Sequence, residues 1–219
     1  MWLGLLACVP PSVLPGPLGP EQGHELGAAA SLGTQISEVE VCENPKSSTC
    51  HHERRTSLYP QGQLWYLGAR PSGWTLGGTL FSYGEDVPLP GGGLLVRTPE
   101  LRPGLRATAE VGWAWAELGA AWGRRTERLE LAFTAAPGLT FDDGPWLLGY
   151  VETGVTAGFG LGRTWLHLGL MGRPMWALAM APPSALYERT SPIGQVDELV
   201  WEPTFALGVS RRPQPHEAQ

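Results

Sequence analysis

Lysine is almost missing from this chain: among 219 residues Lys46 is the only one, and the other basic residues are arginines scattered at strand ends and turns. With 15 basic against 21 acidic residues the net charge is −6. No basic face can form, which argues against a nucleic-acid partner, since binding phosphates needs a positive patch. Charged residues are only 16% of the chain, too few for the surface of a soluble domain of this size. Long hydrophobic runs are missing too. No eighteen consecutive apolar residues occur, so a membrane-spanning helix is excluded. Cysteine is limited to Cys8, Cys42 and Cys50.

Glycine is plentiful at 30 residues, and tryptophan is high at 10. Tryptophan and tyrosine collect where an amphipathic ring can sit at a water–lipid boundary. The mean hydropathy of −0.09 looks soluble. A membrane barrel gives the same value, because only alternate residues of its strands face lipid.

The clearest pattern runs from Trp146 to Trp176. Leu147, Val151, Val155, Ala157, Phe159 and Leu161 share one face, and Tyr150, Glu152, Gly154, Thr156, Gly158 and Gly160 share the other. After a turn at residues 160–163, Leu166, Leu168 and Leu170 alternate with His167, Gly169 and Met171. A period of two sustained over this length reads as a β-hairpin with two different environments. One face is apolar; the other is small, glycine-rich and broken by single charges. A water-facing sheet would not carry so many glycines, which weaken strands. The interior of a small barrel has to accommodate them, because its lumen is filled by side chains.

The same pattern predicts an all-β, closed, antiparallel up-and-down transmembrane β-barrel of about eight strands. These lie near residues 24–36, 62–70, 73–84, 104–122, 127–137, 146–160, 163–176 and 197–210. Their connections alternate between long and short, as in outer-membrane barrels with short periplasmic turns and longer external loops. The stretch 104–122 is too long for one crossing; a bulge near Ala116-Glu117 would turn the glutamate inward and Leu118 and Trp122 outward. A short strand at Leu94-Leu95-Val96-Arg97 is the alternative that would bring the count to ten.

Inward positions in this register carry Arg106, Glu110, Arg128, Glu130, Glu152, His167 and Glu202, joined by Tyr66 and Tyr150. Isolated ions in a narrow lumen are costly, so these residues are expected to form an interior polar network that plugs the barrel. His167 is the only histidine inside a predicted strand, with Glu152 as a possible neighbour. Neither Ser82 nor Ser210 is placed beside it by the sequence, so no catalytic residue is assigned.

At the N-terminus, Leu5-Leu6-Ala7-Cys8 resembles the bacterial lipoprotein lipobox, which implies lipidation at Cys8 and export. Residues 1–8 read as an export signal, 9–23 as a Pro/Gly-rich tether, 24–210 as the barrel and 211–219 as a polar tail. In an exported chain Cys42 and Cys50 are expected to form a disulfide closing an external loop. The adjacent His51 and His52 lack the spacing that aims two imidazoles at one ion. No metal and no other cofactor are expected.

The architecture, loop alternation and interior chemistry together resemble the small eight-stranded outer-membrane barrels of the OmpA, OmpX and OmpW type, over about residues 24–210. The last strand, with Phe205, Leu207 and Val209 alternating, is similar to the strand by which barrel-assembly machinery recognises its clients. The resemblance implies a bacterial outer-membrane location with both termini periplasmic. It also implies outer-membrane lipid and the assembly machinery as partners, and a structural or surface-interaction role through long loops. The alternatives are a lipid-modifying membrane enzyme using His167, or a soluble lipocalin-like carrier.

Overall fold

The computed structural model describes residues 18–42, 50–83, 89–112, 115–141, 146–180 and 200–212; Cys8 lies outside them. Ten strands are found among these residues. They are β1 (His24–Cys42), β2 (Cys50–Ala69), β3 (Thr75–Tyr83), β4 (Leu89–Arg97), β5 (Leu105–Gly112), β6 (Trp115–Arg125), β7 (Leu129–Phe141), β8 (Trp146–Leu161), β9 (Thr164–Met180) and β10 (Val200–Arg211). Each pairs antiparallel with its sequence neighbours, and β10 returns to pair with β1, closing the barrel. Closure leaves no free edge around the wall, the condition for every backbone donor there to find an acceptor.

The expected count of eight is therefore corrected to ten. One extra strand is β4, which occupies what the sequence presents as a long loop. Its Gly91-Gly92-Gly93 run weakens strand propensity and hides the alternation. Tertiary packing explains the glycines: a Cβ on Gly91 would lie 2.2 Å from the Phe81 ring, and one on Gly93 2.9 Å from the Trp115 ring. The other arises because 104–122 is two strands. Val111 pairs with Ala116, so the chain reverses between them and no bulge is needed. This reversal leaves Leu118 and Trp122 exposed on the outer face.

The two-faced pattern holds around the wall. In β8, Tyr150, Glu152 and Thr156 are buried while Val155 and Phe159 are exposed; in β9, His167 and Met171 are buried while Leu166, Leu168 and Leu170 are exposed. Tyr66 departs from the expectation. It sits on the outer face at 50% exposure, because Trp65 and Leu67 hold the inward positions of β2. Its ring stacks on His24 at 5.4 Å, and its hydroxyl lies 2.7 Å from His24 Nδ1.

One end of the barrel carries the short connections 70–74, 98–104, 126–128 and 162–163, and there β1 begins and β10 ends. Gly73, Gly104 and Gly162 in these turns have φ of 82°, 77° and 69°, the left-handed region that glycine adopts without steric cost.

Inward glycines are hollows for large side chains on the next strand. A Cβ on Gly27 would lie 2.1 Å from the Trp65 ring, and that ring is held by its Nε1–H donating to Glu25 at 3.0 Å. Outward Gly62 has nothing within 4 Å of such a Cβ. Gly27→Ala is therefore expected to cost about 1–3 kcal/mol, the usual range for overpacking, and Gly62→Ala close to nothing. Urea midpoints of the two variants check this pair.

Candidate functional site

The barrel interior is charged, and its charges fall into two clusters. At the end with the short turns, Arg212 Nε lies 2.6 Å from Glu25 Oε2 and its Nη1 2.7 Å from Glu130 Oε2. Arg125 Nη2 reaches the same Glu130 oxygen at 2.6 Å. The Trp165 ring lies against both guanidinium groups, 4.7 Å from Arg212 and 5.8 Å from Arg125. Arg97 is buried in the same region, its Nη1 2.8 Å from where a Cβ on Gly19 would be. Burial opposes the charge on Arg212, just past the end of β10. The Glu25 and Glu130 carboxylates outweigh that and hold its guanidinium above the ordinary arginine value.

The chain itself covers this cluster. Leu18, Gly19 and Pro20 are buried before β1 begins. The Gly19 carbonyl accepts from Arg125 Nη2 at 2.6 Å, and the Leu18 amide donates to Glu130 Oε1 at 3.4 Å. Gly19 has φ of 66°.

The second cluster lies further along the barrel. Arg173, 1% exposed, donates to Glu152 Oε2 at 2.5 Å and lies 3.5 Å from Glu202 Oε2. Its guanidinium carbon sits 5.1 Å from the centre of the Tyr150 ring. The Tyr150 hydroxyl donates to Glu117 at 3.1 Å, and the Thr79 hydroxyl to Glu110 at 3.0 Å. Glu110 and Glu117 are direct partners across β5 and β6, an arrangement of like charges that costs energy unless donors surround it.

Of the residues expected inside, Glu130, Glu152, His167 and Glu202 are buried in the lumen, with Glu110 partly buried beside Thr79. Arg106 lies near the short-turn end, its Nη2 3.9 Å from Glu100 Oε1. Arg128 is a correction: it is exposed in the connection between β6 and β7, because β7 begins at Leu129, two residues later than the expected span 127–137. The residues that sequence reasoning missed are Glu25, Arg97, Arg125, Arg173 and Arg212, whereas an inward Glu117 was expected from a bulge and comes instead from the reversal before β6. Arg173 was recoverable by carrying the alternation of β9 two residues past Met171, and Glu25 lies within the expected first strand. Arg212 was not, since it lies beyond its strand.

The structure places Ser210 beside His167, Oγ to Nε2 at 2.8 Å. Both side chains are at most 3% exposed, and His167 Nδ1 has no hydrogen-bond partner. A nucleophilic serine needs a base that is oriented from behind and a substrate that can reach it. Here neither condition is met, and the contact reads as packing beside the Trp65 ring, 6.2 Å away.

These features define a closed ten-stranded antiparallel β-barrel with an apolar outer belt and a charged interior. No family model matches the chain, and no curated protein matches it. Among solved structures, a mutant of the monoaromatic hydrocarbon channel TodX is similar at 8% identity and a TM-score of 0.28, covering 90% of this chain and 94% of that one. A triple mutant of Rhodopseudomonas blastica porin aligns at 9% identity and a TM-score of 0.20, over 86% and 99% of the two chains. At these scores nothing is carried over from either protein, and the functional reading rests on this chain's own faces and interior.

Proposed function

We propose that this chain is an outer-membrane β-barrel that anchors and presents external segments and does not conduct. The observation that carries the reading is the inversion of its faces. Leu26 at 62%, Leu94 at 72%, Leu118 at 68% and Leu170 at 63% exposure stand on β1, β4, β6 and β9, no two of which are paired. Together they mark an apolar belt around the wall, whereas a water-soluble monomer rarely exposes a contiguous apolar patch of more than a few hundred Å². In lipid such a belt is the favourable arrangement. A soluble carrier would need the opposite order, with apolar residues lining a cavity and charges outside.

The non-conducting interior is supported by how the lumen is occupied. Trp65, Tyr150 and Arg173 are among its fully buried side chains, and Leu18–Pro20 lie buried over the short-turn mouth. In this reading the short-turn end is periplasmic, where a lipid on Cys8 would insert as a second anchor. The outward Phe205, Leu207 and Val209 of β10 would be the signal read by barrel-assembly machinery.

Gel mobility and planar-bilayer recordings test both halves. The detergent-refolded chain is expected to migrate differently before and after boiling, and to give no stepwise conductance. A chain that is monodisperse in plain buffer and shows no shift would overturn the lipid-facing belt. Regular ohmic steps would overturn the filled interior.

A further inference from the structure

Read strand by strand, the arginines of this chain are scattered and give no basic face. Closure gathers most of the described ones at one end of the barrel. Arg70, Arg102, Arg128 and Arg163 lie in the short connections 70–74, 98–104, 126–128 and 162–163, and Arg124 and Arg211 stand on outward positions at the ends of β6 and β10. All of them are exposed. Two of the exposed carboxylates at the same end face other arginines, Glu21 towards Arg125 at 3.7 Å and Glu100 towards Arg106 at 3.9 Å; Glu127 is the third among the described residues. A chain with a net charge of −6 thus carries a ring rich in guanidinium groups directly below its apolar belt.

We propose, resting on the lipid-facing reading of that belt, that the arginine ring binds anionic phospholipid headgroups of the phosphatidylglycerol class in the leaflet at the short-turn end. The first observation that carries this is depth. Phe205 and Arg211 are six residues apart on β10, about 20 Å at about 3.3 Å per residue. In strands tilted by about 35–45° that is about 15 Å along the membrane normal, just past half of an apolar band about 25 Å tall. Leu118 and Arg124 on β6 have the same separation, and Leu170 and Arg163 are one residue further apart. With Phe205, Leu118 and Leu170 at the middle of the belt, all three arginines fall at the level of the phosphates.

The second observation is what accompanies the arginines. Trp74, whose carbonyl accepts from the Arg70 amide at 2.7 Å, is exposed. Trp122, two residues before Arg124 on the same face, is exposed as well and stacks on Phe133 at 5.8 Å. Indole rings settle at the headgroup level of a bilayer, so the ring of charge and the ring of aromatics mark one boundary. Guanidinium supplies the selectivity, being planar, always charged and able to bind two phosphate oxygens at once. A zwitterionic headgroup offers the same phosphate but brings a cation of its own, so a positive ring favours the anionic lipid. An acidic soluble partner would leave the exposed indoles beside the arginines without a role.

The test refolds the full chain into phosphatidylcholine vesicles holding a trace of spin-labelled phosphatidylglycerol or spin-labelled phosphatidylcholine, and compares the motionally restricted fraction of each label. The anionic label is expected to be favoured about fivefold, the effect of one arginine at an anionic surface. In 1 M NaCl, where the screening length is about 3 Å, the preference should fall to near equality. Changing Arg124, Arg128, Arg163 and Arg211 together to Gln should bring it below about twofold, since most contacts of that strength are then gone. The double variant Arg124→Gln, Arg211→Gln leaves every turn intact and should lie between the two. Arg54→Gln, exposed at the opposite end of β2, should change nothing. The heat-dependent gel shift is read on every sample. A chain that keeps the shift but shows no preference for the anionic label overturns the ring and leaves the lipid-facing belt standing. So does a preference that survives 1 M NaCl, or a double variant equal to the wild type. A chain without the shift in any vesicle overturns the belt and the ring with it.

Discussion

Arg173→Ala is expected to destabilise the folded barrel by about 3–5 kcal/mol, the cost of leaving buried charges without their partner. Arg173 is 1% exposed and faces Glu152 at 2.5 Å and Glu202 at 3.5 Å, so its removal strands two carboxylates in a closed interior. The loss is not a measure of how much the ion pair stabilises the protein. Replacing buried charges together by apolar groups of similar volume is often neutral or favourable. The triple variant Arg173→Met, Glu152→Gln, Glu202→Gln should therefore recover most of the stability lost by Arg173→Ala. Urea titrations in lipid vesicles, followed by tryptophan fluorescence, measure both. A loss below about 1 kcal/mol for Arg173→Ala, the size of a solvent-screened pair, would mean that water reaches this cluster, against a filled lumen.

The second large effect is expected on the outer face. Val155, Leu170 and Phe205 are cross-strand neighbours on β8, β9 and β10, at 40%, 63% and 55% exposure. Arginine at Val155 or Leu170 should cost about 2–4 kcal/mol if those residues meet the middle of a bilayer. On a soluble barrel the same substitutions at exposed positions would be close to neutral. The comparison is made by refolding each variant into vesicles and reading the urea midpoint. Near-zero costs at both positions would contradict the assignment of this face to lipid.

These two predictions probe opposite sides of one wall, and the sequence displayed the wall more clearly than the contents of the lumen. The alternation through Val155, Ala157 and Phe159 against Glu152, Thr156 and Gly158 is local, so it survives into the structure unchanged. The strand β4 was harder to see because its glycines carry no side chain to alternate. They become intelligible only when the Phe81 and Trp115 rings are placed in the hollows they leave. The reversal between Val111 and Ala116 was hidden for a different reason. A turn and a bulge both exchange the faces of the downstream residues, so Glu117 and Leu118 look the same in either case.

The interior network shows the same division. That Glu130, Glu152, His167 and Glu202 point inward is set by their spacing along single strands. Their partners are not set that way. Arg173 joins Glu152 and Glu202 across three strands, and Arg212 meets Glu25 at a separation of 187 residues. Ser210 reaches His167 only because β10 lies beside β9.

What the sequence determined by itself is the all-β class, the identity of the two faces and the low charge of the outer one, because period-two alternation is a property of each strand alone. The tertiary structure decided the number of strands, the pairing of the buried charges and the burial of Leu18–Pro20 over one mouth. Those depend on closure: until the last strand pairs with the first, nothing determines which residues from distant parts of the chain share one level of the lumen.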